Sequence, residues 1–256
     1  MHRFIRTEML LGKPALQRLQ HARVAVVGLG AVGSYAVEGL ARAGVGHLRL
    51  VDFDVVRESN INRQLYALQS TLDRPKAEVA RARVLDINPQ CEVEALRVFA
   101  DDDTFGPILR PPLDALIDAV DSLGPKVRLL AAAVKAGATV VSSMGAATRT
   151  EPQAIRVADI SATDVCPLAR LVRKRLRRQG VERGILCVYS VEPPRGSLAV
   201  EGAAEAAPAE APPCPRGRER RPLGSLACLT GIFGLTAANE VILGLTQARH
   251  SPAISR

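Results

Sequence analysis

Apolar runs and amphipathic stretches alternate along the first half of the chain. Short apolar runs fall at 24–27, 47–51, 92–98, 113–120 and 139–143. They are too short for helices, so they read as strands. Between them, 33–43, 76–86 and 126–136 carry apolar residues at helical spacing. Strand and helix in regular alternation predict an α/β fold, a Rossmann-like, mostly parallel sheet flanked by helices.

Beyond residue 150 the pattern changes. Segments 153–158 and 185–190 read as further strands, and 167–179 as a basic helix. Residues 192–224 include AVEGAAEAAPAEAPPCPRGRERRP, a composition that builds no core and predicts a mobile, disordered loop. Residues 226–245 are apolar and about long enough to span a bilayer. Asn239 and Glu240 lie inside that stretch and Thr and Gly are frequent, which favours a buried or dimer-interface helix over membrane contact. The expected division is a sheet domain at 1–150 and a C-terminal extension at 151–256 that completes it.

Composition sharpens this picture. With 256 residues, 47% of them apolar, the chain can bury a substantial core. Five Phe, three Tyr and no Trp leave that core to aliphatic side chains. A net charge of +8 favours an acidic partner. Met1-His2-Arg3 leads into a polar amphipathic segment rather than an apolar leader. Five scattered cysteines, an odd number, fit reduced thiols in the cytoplasm. None forms a Cys-x-x-Cys pair, so no zinc site is expected.

The densest chemistry lies where the first apolar run ends. Residues 24–33 read VAVVGLGAVG, a strand running into Gly28-x-Gly30-x-x-Gly33, and Asp52 follows at the tip of the next run. Glycines let the backbone approach a phosphate, and the helix N-terminus offers unpaired N–H groups and a favourable dipole. Asp52 stands where a ribose hydroxyl would donate. The alternative is a tight turn that merely packs a helix on a sheet.

The residues after Asp52 bear on which nucleotide binds. A second carboxylate, Asp54, follows at once, then Asn60-Ile61-Asn62-Arg63-Gln64, then Lys76 after a Pro. A nicotinamide needs an apolar slot and has no use for converging cations. An ATP site that cleaves between the α- and β-phosphates uses the planar fork of Arg63 and the point charge of Lys76. Taken singly, either cation reads as a solvated surface residue. The 113–120 run ends in Asp121-Ser122, at the sheet edge that also carries Gly28 and Asp52. A carboxylate beside a triphosphate calls for a bridging cation, making Asp121 a candidate Mg²⁺ ligand. Capping of the next helix is the other role open to it.

GLGAVGS, LVDFD, NINRQ, RPKAE and DAVDS, in this order, resemble the ubiquitin-activating-enzyme-like (ThiF/HesA) adenylyltransferase superfamily. The resemblance implies an ATP-binding adenylation domain over 1–150. It implies a phosphate turn at Gly28, Gly30 and Gly33, a ribose ligand at Asp52, phosphate ligands at Arg63 and Lys76, and Mg²⁺ at Asp121. Asn60 and Gln64 match the family's polar support around the phosphates, and Asp54 joins the nucleotide-binding set. A homodimer is also implied, in which an N-terminal arginine reaches the partner's ATP site. Arg6 matches best, with Arg3 as its neighbour.

The later half adds a basic stretch. Arg170, Arg173, Lys174, Arg175, Arg177 and Arg178 fall within nine residues free of acids, and Arg149 precedes them. Such a run is commonly a solvated face, but positive potential left uncancelled suits phosphate backbones. Without interleaved aromatics, an RNA contact there would be electrostatic and shape-based. Together with VADISATDVCPLARLVRKRLRRQG, VYSVE and GSLACLTGIFG, the chain is similar to the tRNA threonylcarbamoyladenosine dehydratase branch. This resemblance implies a tRNA substrate whose threonine carboxylate is adenylated by ATP. The ureido group then closes a ring on the activated carbonyl, an intramolecular step needing no enzyme thiol. It leaves room for a sulfurtransferase partner. One departure is Cys166, which stands before Pro167-Leu168 where the branch has Asp. Lying in a loop ahead of the basic helix, Cys166 is also a candidate thiol nucleophile, whereas Cys187 reads as a core strand residue. Three other readings stay open: adenylation of a sulfur-carrier or ubiquitin-like protein, NAD-dependent oxidoreduction, and a non-catalytic nucleotide-binding scaffold.

Overall fold

A computed structural model describes residues 2–196 and 223–246. Two short helices, α1 (Ile5–Leu11) and α2 (Lys13–His21), precede the first strand. The chain then alternates: β1 (Arg23–Val27), α3 (Gly33–Ala43), β2 (His47–Val51), α4 (Lys76–Ile87) and β3 (Glu92–Leu96). It continues through α5 (Phe105–Leu109), β4 (Ala115–Asp118), α6 (Leu123–Lys135) and β5 (Thr139–Ser143). The last elements are β6 (Ile155–Asp159), α7 (Pro167–Arg177), β7 (Ile185–Ser190) and α8 (Ala227–Thr246).

All seven strands join one sheet in the order β3-β2-β1-β4-β5-β7-β6. Every pairing is parallel except the last, where β6 runs antiparallel to β7 at the edge. The central strands β1 and β4 are buried on both sides because helices cover both, whereas β3 at the edge is only half-buried. One layer packs Val26, Leu40, Val84, Ile117 and Phe233 between the sheet and α3, α4 and α8. The other packs Leu116, Leu130, Val172 and Leu176 between the sheet and α5, α6 and α7.

The apolar stretch at 226–245 is α8. By length and composition alone it could cross a membrane. Instead it lies along α3, with Leu229, Phe233, Ala237, Ala238 and Val241 buried. Glycine makes that contact close: a Cβ on Gly234 would sit 2.2 Å from the carbonyl oxygen of Val32. Full burial of a side chain such as Phe233 contributes roughly 1.5–3 kcal/mol relative to exposure.

The expected strands and helices form, with shifted ends. The 113–120 run is strand only to Asp118, where that carboxylate accepts from Val120 N–H and turns the chain. The helices α1, α2 and α5 were not foreseen; α1 buries no residue and so carries no periodic signal. The loop expected to be mobile, 192–224, falls largely at 197–222, outside the described residues. Its described flanks meet on one residue: Thr148 N–H donates to Gly224 O at 2.8 Å and Thr148 O accepts from Arg195 N–H at 2.9 Å.

Candidate active site

Strand order reverses between β1 and β4, the place where open α/β sheets hold ligands beyond their strand ends. The glycine turn leaves β1 there, and its glycines serve different needs. Gly28 has φ 88°, a left-handed conformation that side chains rarely adopt, and a Cβ on it would lie 2.7 Å from Ala119 O. A Cβ on Gly33 would fall 1.7 Å from Gly28 O, so only glycine lets α3 start against its own turn. At Gly30 the nearest atom is the Gln64 side-chain nitrogen at 3.6 Å, so the turn stays open in front of it.

Asp52, just past β2, is tied into that turn. Its Oδ2 accepts from Leu29 N–H at 2.7 Å and its Oδ1 from Asp54 N–H at 2.9 Å. Burial pushes its carboxyl above the ordinary value, opposed chiefly by the nearby Lys76 ammonium. One carboxylate thus clamps the turn.

Lys76 is buried at the start of α4, which removes the solvated-surface reading for it. Its Nζ donates to Asp54 Oδ2 at 2.6 Å, and its backbone N–H donates to Asp54 O at 3.0 Å. A short bridge between Val55 and Pro75 closes the excursion that separates them. That excursion folds over the N-terminus of α3, where Leu65 N–H donates to Ser34 Oγ at 3.2 Å. It carries Asn60, whose side-chain oxygen accepts from Arg57 N–H at 3.2 Å, and buried Gln64. Arg63 is half-buried, and burial lowers its pKa. Its Nη1 donates to Ser59 O at 2.8 Å and Asn62 Oδ1 at 2.9 Å, which fixes one arm of the fork.

Asp121 is exposed in the turn between β4 and α6, and Ser122 Oγ donates to it at 3.3 Å. Ser122, rather than Asp121, is the residue at the cap position of α6. The glycine turn, Asp52, Asp54, Lys76 and the Asn60–Gln64 segment therefore share one edge, and the β4–α6 turn borders it. Arg6 is not brought there. Phe4 packs on Gly44 at the far end of α3, and Arg3 donates to Ile87 O at the last turn of α4.

The basic helix divides its charges. Arg170, Lys174, Arg175 and Arg177 are exposed on α7, and Arg178 is exposed at its C-terminal cap. Arg173 is instead engaged locally, donating to Ile160 O at 3.2 Å and to Thr163 O at 2.7 Å. Arg149 is buried and donates to Glu192 O at 3.0 Å and to the Gly145 carbonyl. Its Nη2 also lies 3.7 Å from Cys166 Sγ, so Cys166 is buried beside a guanidinium rather than open in a loop. Cys187 is a core residue of β7, as its sequence context suggests. Burial pushes its thiol up, and pushes that of Cys91 up to about 12.

Sequence reasoning missed three buried polar residues beneath the site: Asp118, Lys126 and Ser142. A lysine set among apolar residues in PKVRLL, five residues after Asp121, was the available signal.

A doubly wound α/β sheet with a glycine turn at its switch point, faced by an Arg- and Lys-bearing excursion, defines a nucleotide-binding class. Within that class the chain belongs to the ThiF family, whose profile matches residues 3–255. It is 44% identical over 194 residues to a Bacillus subtilis tRNA threonylcarbamoyladenosine dehydratase, covering 76% of each chain. The fold is similar to that of an Escherichia coli tRNA N6-threonylcarbamoyladenosine dehydratase in complex with AMP, with a TM-score of 0.83 and 32% identity. That match covers 95% of this chain and 93% of the other. The same Escherichia coli enzyme in complex with ATP matches with a TM-score of 0.81 and 33% identity, at the same coverage.

Proposed function

We infer that this chain is an ATP-dependent dehydratase acting on threonylcarbamoyladenosine in tRNA. The observation that carries the reading is the extent of the likeness. It runs past the nucleotide elements, through β6, α7, β7 and α8, over 95% of the chain. We read 1–150 as the adenylation unit and 151–256 as the part that completes it, working in the cytoplasm.

In this reading the threonine carboxylate attacks the α-phosphorus of ATP, and the bond to the β-phosphate breaks to release pyrophosphate. The ureido nitrogen of the same substrate then attacks the activated carbonyl. The ring closes, a proton leaves the nitrogen, and the carboxylate oxygen departs with AMP. The substrate loses one water. Both reacting groups sit on one molecule, so the second step gains a high effective concentration and needs no thiol relay. Buried Cys166 and the raised thiols of Cys91 and Cys187 agree with that.

Each residue then has a task. Gly28, Gly30 and Gly33 admit the phosphates to the N-terminus of α3, and Asp52 receives the ribose. Lys76, held by Asp54, and Arg63, held on one arm with Asn60 and Gln64 behind it, oppose charge developing on the α-phosphate. We assign Mg²⁺ to Asp121. Among the described residues no three side chains of His, Cys, Asp or Glu converge, so Asp121 would hold such a cation together with phosphate oxygens and water. When bound, Mg²⁺ supplies charge neutralisation on the phosphates.

We propose a homodimer in which Arg6 completes the partner's site. Its distance from its own glycine turn supports this, as do Met9 and Leu10, 74% and 82% exposed on α1. The exposed residues Arg170, Lys174, Arg175 and Arg177 of α7, and Arg178 at its cap, are assigned to tRNA phosphates, with Arg173 anchoring the helix. The deciding experiment is mass spectrometry of nucleosides from tRNA incubated with the protein and ATP. Threonylcarbamoyladenosine should lose the mass of one water, with AMP and pyrophosphate formed. An unchanged nucleoside would overturn the reading.

A further inference from the structure

Two buried charges lie under the nucleotide edge, and the chemistry above does not use them. Asp118 ends β4, Lys126 sits in the first turns of α6, and both are fully buried. Their side chains pair at 2.5 Å. Ser142 on β5 donates to the same carboxylate oxygen at 2.6 Å, and Val120 N–H donates to the other at 3.0 Å. One carboxylate thereby joins its own turn, the next helix and the next strand.

Stability does not account for this arrangement. A lysine in the first turns of a helix opposes the helix dipole. Burying both charges costs heavily, and well-packed apolar residues of similar volume are commonly as stable or more so. What the pair does is geometric. Residues 118–126 are pinned at both ends by a single ion pair. Between those ends lie Ala119, whose carbonyl closes against Gly28, and Asp121.

We propose that the Asp118–Lys126 pair, with Ser142, positions Asp121. The pair fixes the β4–α6 turn against the glycine turn, so the Asp121 carboxylate meets the nucleotide's phosphates at one set distance. These are positioning residues and touch no substrate. The inference rests on the assignment of Mg²⁺ to Asp121.

The test compares the double variant Asp118→Asn/Lys126→Met with Asp121→Asn and Lys126→Arg. ATP affinity is measured by calorimetry with and without Mg²⁺, beside kcat and KM for tRNA dehydration. The double variant should keep its Mg²⁺-free ATP affinity within about twofold and lose most of the gain that Mg²⁺ confers. Its kcat should fall about 10–100-fold with KM for tRNA unchanged, as expected of a misplaced group. Lys126→Arg should recover part of both. A folded double variant with normal kcat and a normal Mg²⁺ gain, where Asp121→Asn loses both, overturns the proposal. Asp121→Asn retaining both overturns the Mg²⁺ assignment instead. If the double variant does not fold, Ser142→Ala takes its place. A lower melting temperature with unchanged kcat and Mg²⁺ gain would then count against positioning.

Discussion

Between β1 and α3 the chain turns on glycine; between β4 and α6 it turns on a buried ion pair. Both turns end at the same sheet edge. The first needs almost no side chains, because Gly28 and Gly33 let backbone lie on backbone. The second is built from side chains on three separate elements. A turn made of backbone is specified by its own few residues. A turn made of side chains is specified by residues that meet only once the sheet has formed.

The contrast breaks most easily at Gly33. Its replacement by Ala drives a Cβ into the Gly28 carbonyl, which neither strand nor helix can yield. Nucleotide binding by Gly33→Ala should drop below detection in calorimetry. Gly30→Ala, which meets only the end of Gln64, should fold normally and bind more weakly. Equal behaviour of the two variants would mean that the glycines do not have distinct roles.

Next come the cations. Arg63→Ala or Lys76→Ala should lower kcat by on the order of 10²-fold, the loss expected for a preorganised charge. Melting of Arg63→Ala should change little, whereas Lys76→Ala leaves Asp54 without its buried partner and should melt earlier. Near-normal turnover in both would remove them from the chemistry.

A smaller effect tests the dimer. In a heterodimer of one Arg6→Ala subunit and one Lys76→Ala subunit, trans action puts both lesions in one site and leaves the other whole. About half the activity should survive, since independent sites contribute separately. Near-complete loss in a verified heterodimer would place Arg6 in its own subunit's site.

The mildest perturbation is pH. In the proposed site a ribose hydroxyl donates to charged Asp52, and burial raises that carboxyl's pKa. Affinity for adenosine, which carries no phosphate, should therefore weaken as pH falls, with a midpoint above the ordinary aspartate value. The slope approaches about tenfold per pH unit below the raised pKa. Asp52→Asn should bind weakly at every pH. The sign for stability is opposite: a raised carboxyl favours the protonated fold, so Asp52 costs stability at neutral pH and the cost vanishes as pH falls.

What was legible in the sequence follows the same division. Gly28, Gly30, Gly33 and Asp52 could be read because strand, turn and helix are contiguous there. Arg63 and Lys76 could be named but not placed, since the Asp54–Lys76 pair spans 22 residues. Asp118, Lys126 and Ser142 were invisible as a set, because Ser142 arrives from another strand. Charge in the basic stretch does not reveal that Arg173, and Arg149 before it, spend donors on backbone carbonyls. Nor do the five residues of β6 say which way the strand runs; β7 decides that.

The packing of α8 on α3 has a consequence for how the protein is made. Helix α3 is complete at residue 43, and its apolar cover begins only at residue 227. At about 5–20 residues per second, the interval is roughly 10–40 s. For that time Tyr35 and Gly39, which meet Gly231 and Ala238 in the finished fold, have no partner. An early helix is thus among the last to be sealed, and a nascent chain halted before α8 presents α3 with an open apolar face.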